Sequence, residues 1–161
     1  MKERPWDKDA AFAAGKLLEE MGKDEAAKAK FIEIIYHRPM DAEARCKAAG
    51  IEIRLKNYNN AVEQLNHVIK TNPSHPDANM MLGDAYFGMG DAIRGIFYYR
   101  LAADYEPDSL EKHMRLAAAY AKTHSWDEAG KEFKKSLELA STPEEELMVY
   151  REYRNIKETD E

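Results

Sequence analysis

Between Asn79 and Pro107 the chain shows one helical pattern, a break, and a second helical pattern. Asn79, Leu82, Gly83 and Tyr86 recur at the spacing of a single helix face. Gly88-Met89-Gly90-Asp91 interrupts them, and Gly95, Tyr99 and Ala102 resume the spacing until Pro107 stops it. The segment reads as a helix–turn–helix unit. Small residues at Gly83 and Gly95 admit a close approach of the two helices, and Leu82, Tyr86 and Tyr99 fill the space beside them. The same columns return every 34 residues without an insertion: Gly15, Ala49, Gly83 and Ala117; Ala27, Ala61, Gly95 and Ala129; Phe31, Leu65, Tyr99 and Phe133; Pro39, Pro73 and Pro107. A strict period of this length predicts a helical solenoid, because each unit cannot bury its own apolar face and must stack on its neighbours.

The period places helices near 8–21, 24–37, 42–55, 58–71, 76–89, 92–105, 110–123 and 126–139, with a ninth near 144–157. Local signals mark some starts independently. Thr142-Pro143-Glu144-Glu145 combines an N-cap threonine, a proline at the first helical position and a glutamate placed for a capping box, and Ser125-Trp126-Asp127-Glu128 repeats the box without the proline. Repeats 8–41, 42–75, 76–109 and 110–143 occupy 136 of the 161 residues, so 1–161 reads as one continuous array.

These columns resemble the tetratricopeptide repeat family. Its pattern is a large residue at position 4, Leu at 7, Gly or Ala at 8, Tyr at 11, Ala at 20, an aromatic at 24, Ala at 27 and Pro at 32. Repeat three supplies Leu82, Gly83, Tyr86, Gly95, Tyr99, Ala102 and Pro107, and repeat four supplies Leu116, Ala117, Tyr120, Ala129 and Phe133. Repeats one and two keep the register with fewer matches: Leu18 and Glu52 stand where tyrosine is usual. In repeat four Ser141 takes the proline column and Pro143 follows two residues late. The resemblance implies an all-α, right-handed superhelix of four repeats, with Glu145 to Lys157 as a charged closing helix.

In that family the first helix of each repeat lines a concave groove. Carried over by position, the groove residues are Phe12, Cys46, Met80, Met114 and Met148 at position 5, Lys16, Gly50, Asp84, Ala118 and Glu152 at position 9, and Ile53 and Phe87 at position 12. Phe, Cys and three Met at one spacing form an apolar ladder, and methionine suits adaptable binding surfaces. The alternative is that these side chains pack between neighbouring repeats. Position 2 is acidic throughout, with Asp9, Glu43, Asp77, Glu111 and Glu145. The helix dipole alone favours a carboxylate there, by about 0.3–1 kcal/mol; beside an apolar ladder the same acids favour a partner that is hydrophobic and basic.

A family subclass clamps acidic peptide tails with Lys, Asn and Arg at set positions. The corresponding residues here are Phe12, Lys16, Lys47, Asp77 and Met81 in one frame, and Cys46, Gly50, Met81, Glu111 and Arg115 in the next, and neither frame supplies the donors. The resemblance thus implies a non-enzymatic protein-interaction adaptor holding a protein or peptide. A homo-oligomeric scaffold, or a regulatory domain of a larger enzyme or secretion apparatus, are the alternatives.

Charge and composition narrow this further. A net charge of −6 and a pI near 5.5 argue against binding the phosphate backbone of nucleic acid. With 44% hydrophobic and 34% charged residues and few prolines or glycines, the balance is that of a helix-rich globular chain. The single cysteine, Cys46, excludes an internal disulfide and fits a cytoplasmic protein, and no apolar run reaches membrane-spanning length. The polar stretch from Met1 to Asp7 does not read as a signal peptide. The five histidines, His37, His67, His75, His113 and His124, form no metal-ligand pairs and are expected at the surface or in turns. No phosphate loop, nucleophile elbow or catalytic triad order can be drawn, so no cofactor, metal or catalytic residue is expected.

Overall fold

The computed structural model describes residues 6–158, with side chains to residue 156. Every regular element in that range is helical: α1 (Lys8–Glu20), α2 (Asp24–His37), α3 (Ala42–Arg54), α4 (Tyr58–Thr71), α5 (Pro76–Gly88), α6 (Ala92–Tyr105), α7 (Leu110–Lys122), α8 (Trp126–Leu139) and α9 (Pro143–Glu158). The chain divides into two compact units, Met1–Pro73 and Ser74–Glu161.

Proline ends three of the second helices by acting on the residue before it. Arg38, Asn72 and Glu106 have φ near −138° with ψ between 72° and 87°, because the pyrrolidine ring that follows disfavours helical backbone. Asp41 and His75 then cap α3 and α5 by accepting the amides of Ala44 and Ala78. Thr142 and Glu145 make the expected reciprocal box: the Glu145 amide donates to the Thr142 hydroxyl at 3.2 Å, and the Glu145 carboxylate accepts the Ser141 and Thr142 amides.

The box expected at Ser125 does not form. Ser125 sits at φ −84°, ψ 68°, its hydroxyl lies 3.4 Å from that of Thr123, and its amide donates to the Tyr120 carbonyl. The tight turn from α7 holds the residue there and turns its side chain away from the first turn of α8. Each turn inside a repeat carries one left-handed residue at the same 34-residue spacing: Gly22 (φ 70°), Lys56 (61°), Gly90 (82°) and His124 (58°). The amide following each of them closes back on a helix carbonyl five residues earlier, the Schellman arrangement. These αL residues are why α1, α3, α5 and α7 end one residue earlier than expected, and why Gly88 belongs to α5 while only Gly90 makes the turn.

In the first unit, α1, α2 and α3 enclose Ala27, Phe31, Ile34, Ala44, Ala48 and Ile51, all essentially inaccessible. Gly15 is required here, since a Cβ on it would lie 2.8 Å from the Phe31 ring. In the second unit Tyr99 covers Gly83 in the same way, and a Cβ on Gly83 would lie 2.6 Å from its ring. Further along that unit Phe133 packs with Ala117, Ala121, Ala129 and Val149 of α9, and Tyr153 of α9 meets the Phe133 ring edge-on at 4.9 Å.

Position 4 of the repeats carries a buried polar column. Arg45 donates through Nε to the Pro39 carbonyl at 2.8 Å and through Nη1 to Gln64 at 2.6 Å. His113 repeats the geometry 68 residues later, with Nε2 3.0 Å from the Pro107 carbonyl and Nδ1 2.6 Å from Glu132. His113 is therefore buried and not at the surface as expected from sequence, because it ties the preceding proline corner to the partner helix. Asn79 donates to the His75 carbonyl at 2.9 Å.

Candidate functional site

Within the second unit, α5, α7 and α9 surround an open concavity of about 700 Å³. Its lining is largely apolar: Phe87, Tyr99, Leu110, Met114, Ala118, Ala119 and Met148. Three acids stand around it, Glu111, Glu145 and Glu152, against two cations, Arg115 and Lys122.

Phe87, Met114 and Tyr99 are each held from behind. The Phe87 ring rests on the bare backbone of Gly95, where a Cβ would come within 2.2 Å of the ring, and lies 5.7 Å from the Tyr99 ring. Met114 packs against the α7–α8–α9 cluster with one side and faces the pocket with the other, while Met148 is 46% exposed. Tyr99 is almost wholly buried, and its hydroxyl donates to Asp84 Oδ1 at 2.6 Å. Arg115 Nη1 reaches the same oxygen at 2.9 Å, and its Nη2 lies 3.8 Å from Glu111. Burial pushes the Asp84 carboxyl above the usual carboxylate range, while the Tyr99 hydroxyl and the Arg115 guanidinium oppose that shift by favouring the carboxylate. Burial and the Asp84 charge raise Tyr99 far above the ordinary phenol range, so it is a fixed donor.

Of the residues assigned to a groove from the family positions, Phe87, Met114, Ala118, Met148 and Glu152 line this pocket. Met80 is half-buried against Tyr99, Leu116 and Ala119, and Asp84 stands behind the wall, bonded to two lining residues. The remaining five belong to the first unit. Phe12 packs edge-on to Phe31 at 5.4 Å, Lys16 is exposed, and Cys46, Gly50 and Ile53 are half-buried. Around them the first unit is ionic: Glu19 pairs with Lys47 at 3.3 Å and with Arg54 at 3.0 Å, and Arg54 also holds Asp24 at 2.7 Å.

Sequence reasoning placed Tyr99 in packing alone and did not single out Leu110, Arg115 or Lys122 as lining. Lys122 is the last residue of α7, one place beyond the position-12 column. Arg115 stands at one of the clamp positions of the family subclass, but its contact with Asp84 one repeat earlier has no signal in the sequence. Two of the position-2 acids, Glu111 and Glu145, stand at the pocket, and Glu145 also caps α9. Asp77 instead pairs with the buried Lys112 at 2.9 Å. Among the described residues no helix is long and apolar enough to cross a membrane.

The tetratricopeptide repeat model matches residues 42–75 and 76–109. Among solved structures, MamA from Desulfovibrio magneticus RS-1 is 25% identical over 83% of this chain and 75% of that one, with a TM-score of 0.75. A thermophilic TPR protein of Thermus thermophilus is 22% identical over 93% of this chain and 83% of that one, with a TM-score of 0.78. No curated protein matches the chain.

Proposed function

We propose that this tetratricopeptide-repeat protein is a non-enzymatic adaptor whose second unit takes up an apolar, basic segment of a partner protein in the pocket between α5, α7 and α9. The observation that carries the reading is the pairing of an aromatic and thioether lining with an acidic surround. Three glutamates stand there against two cations, and one of those cations, Arg115, is already held by Asp84. Aliphatic side chains entering over Phe87, Met114 and Met148 would each contribute about 1.5–3 kcal/mol by burial, while Lys or Arg beside them would meet Glu111, Glu145 and Glu152. The acids of the site serve binding and positioning: Glu145 caps α9, and Asp84 anchors a tyrosine and an arginine. We place the adaptor in the cytoplasm, where the single Cys46 stays reduced.

A photo-crosslinking residue at Met148 tests the reading, with captured partner peptides sequenced by mass spectrometry. Peptides in which apolar residues are flanked by Lys or Arg are expected, and Met114→Glu should abolish their capture while circular dichroism stays unchanged. Capture confined to acidic peptides would refute it.

A second reading, self-association, is favoured by one observation: Leu147 and Tyr150 of α9 are 48% and 57% exposed beside Met148. Sedimentation of the chain with and without Leu147→Lys and Tyr150→Lys decides it, since a dimer lost on substitution would make α9 a self-interface.

A further inference from the structure

Asp84 is not part of the pocket lining, yet it holds two residues that are, and the three come from different helices: Asp84 from α5, Tyr99 from α6 and Arg115 from α7. The Tyr99 hydroxyl is buried and needs an acceptor, so it fixes the carboxylate from behind. Arg115, about half exposed, is the movable member. Its guanidinium would otherwise stand with Lys122 at the pocket as a two-cation receptor for a ligand carboxylate or phosphate. Drawn onto Asp84 at 2.9 Å, with Glu111 3.8 Å away on its other side, it is occupied.

We infer that Asp84 is the positioning residue that sets the charge preference of the pocket, by holding Arg115 against the wall and withholding it from anionic ligands. The inference rests on the reading of the pocket as a peptide-binding site. An acidic segment would have to displace Arg115 from Asp84 and then lie among Asp84, Glu111, Glu145 and Glu152. A basic segment disturbs nothing and meets those carboxylates favourably.

The substitution Asp84→Asn isolates this role. The amide oxygen still accepts the Tyr99 hydroxyl, so the wall is kept, but the charge that holds Arg115 is gone. The probes are two end-blocked, fluorescein-labelled peptides, one alternating leucine with lysine and the other leucine with glutamate, followed by fluorescence anisotropy on the full chain at low salt. Asp84→Asn is expected to tighten the glutamate peptide about tenfold while changing the lysine peptide little or weakening it. Arg115→Gln added to Asp84→Asn should cancel that gain. A merely structural role would weaken both peptides together and lower the melting temperature. An unchanged affinity ratio, or a gain that persists without Arg115, overturns the inference. Absence of lysine-peptide binding to the unsubstituted chain counts against the proposed function alone, because the gain for the glutamate peptide remains to be read; absence of that gain overturns the inference whatever the lysine peptide does.

Discussion

Gly95 stands where the family pattern has alanine, and the structure ties that departure to Phe87. A Cβ built on Gly95 would lie 2.2 Å from Phe87 Cδ2 and 2.7 Å from Cε2, far inside van der Waals contact. The alanine-bearing repeats have Glu19, Ile53 and Ala121 where repeat three has Phe87, so none of them presents an aromatic ring to this column. Gly95→Ala should therefore draw on two opposed effects. Alanine in a helix interior is favoured over glycine by about 0.8–1 kcal/mol. Overpacking of a filled site costs about 1–3 kcal/mol. The net expectation is a loss of about 1 kcal/mol. In a Phe87→Ala background the clash disappears, and the same substitution should gain about 1 kcal/mol, a coupling of about 2 kcal/mol across the cycle. Urea denaturation followed by circular dichroism measures all four proteins, with the slope checked for constancy. The ring has one alternative, to swing off Gly95 into the pocket, which would spare stability at the expense of peptide binding. Gly95→Ala that stabilises both backgrounds equally and leaves binding intact would refute the packing argument.

Lys56 and His124 occupy left-handed backbone that glycine adopts freely at Gly22 and Gly90. Replacing either by glycine should raise stability by about 0.5–1 kcal/mol, whereas Gly90→Ala should lower it, both read from thermal melts. Burial pushes the Asp41 carboxyl up, but the Lys8 ammonium at 2.7 Å and the Ala44 amide outweigh it and hold it below its ordinary value of 3.8. Its contribution is therefore present above pH about 4 and lost as pH falls through the lowered value. The difference between the unsubstituted chain and Asp41→Asn should be about 1 kcal/mol at neutral pH and shrink as the pH falls below that of an ordinary carboxyl. Truncation after Thr142 removes Val149, Tyr153 and Ile156 from the cluster around Phe133, so the shortened chain should melt lower and self-associate by sedimentation.

Much of the fold was legible because its determinants are local and repeat. The prolines at 39, 73 and 107 act on the residue before them, and that effect needs no tertiary partner. Gly22 and Gly90 announce left-handed turns. Lys56 and His124 hide them, because a side chain that tolerates the strain looks like any other exposed residue. The polar column of Arg45, Asn79 and His113 was invisible for a different reason. Arg45 and His113 each meet a residue 19 positions later, Gln64 and Glu132, and a period of 34 says nothing about pairs made across the two helices of one repeat. The site divides along the same line. Family positions find Phe87, Met114, Ala118, Met148 and Glu152, since each faces the concavity from α5, α7 or α9. They do not find the clasp at Asp84, which exists only because α5, α6 and α7 bring a carboxylate, a phenol and a guanidinium to one point. A column read one residue at a time describes Asp84 as an acid in a groove. In three dimensions it is an acid already engaged, and the pocket's remaining field is set by Glu111, Glu145 and Glu152 against Lys122.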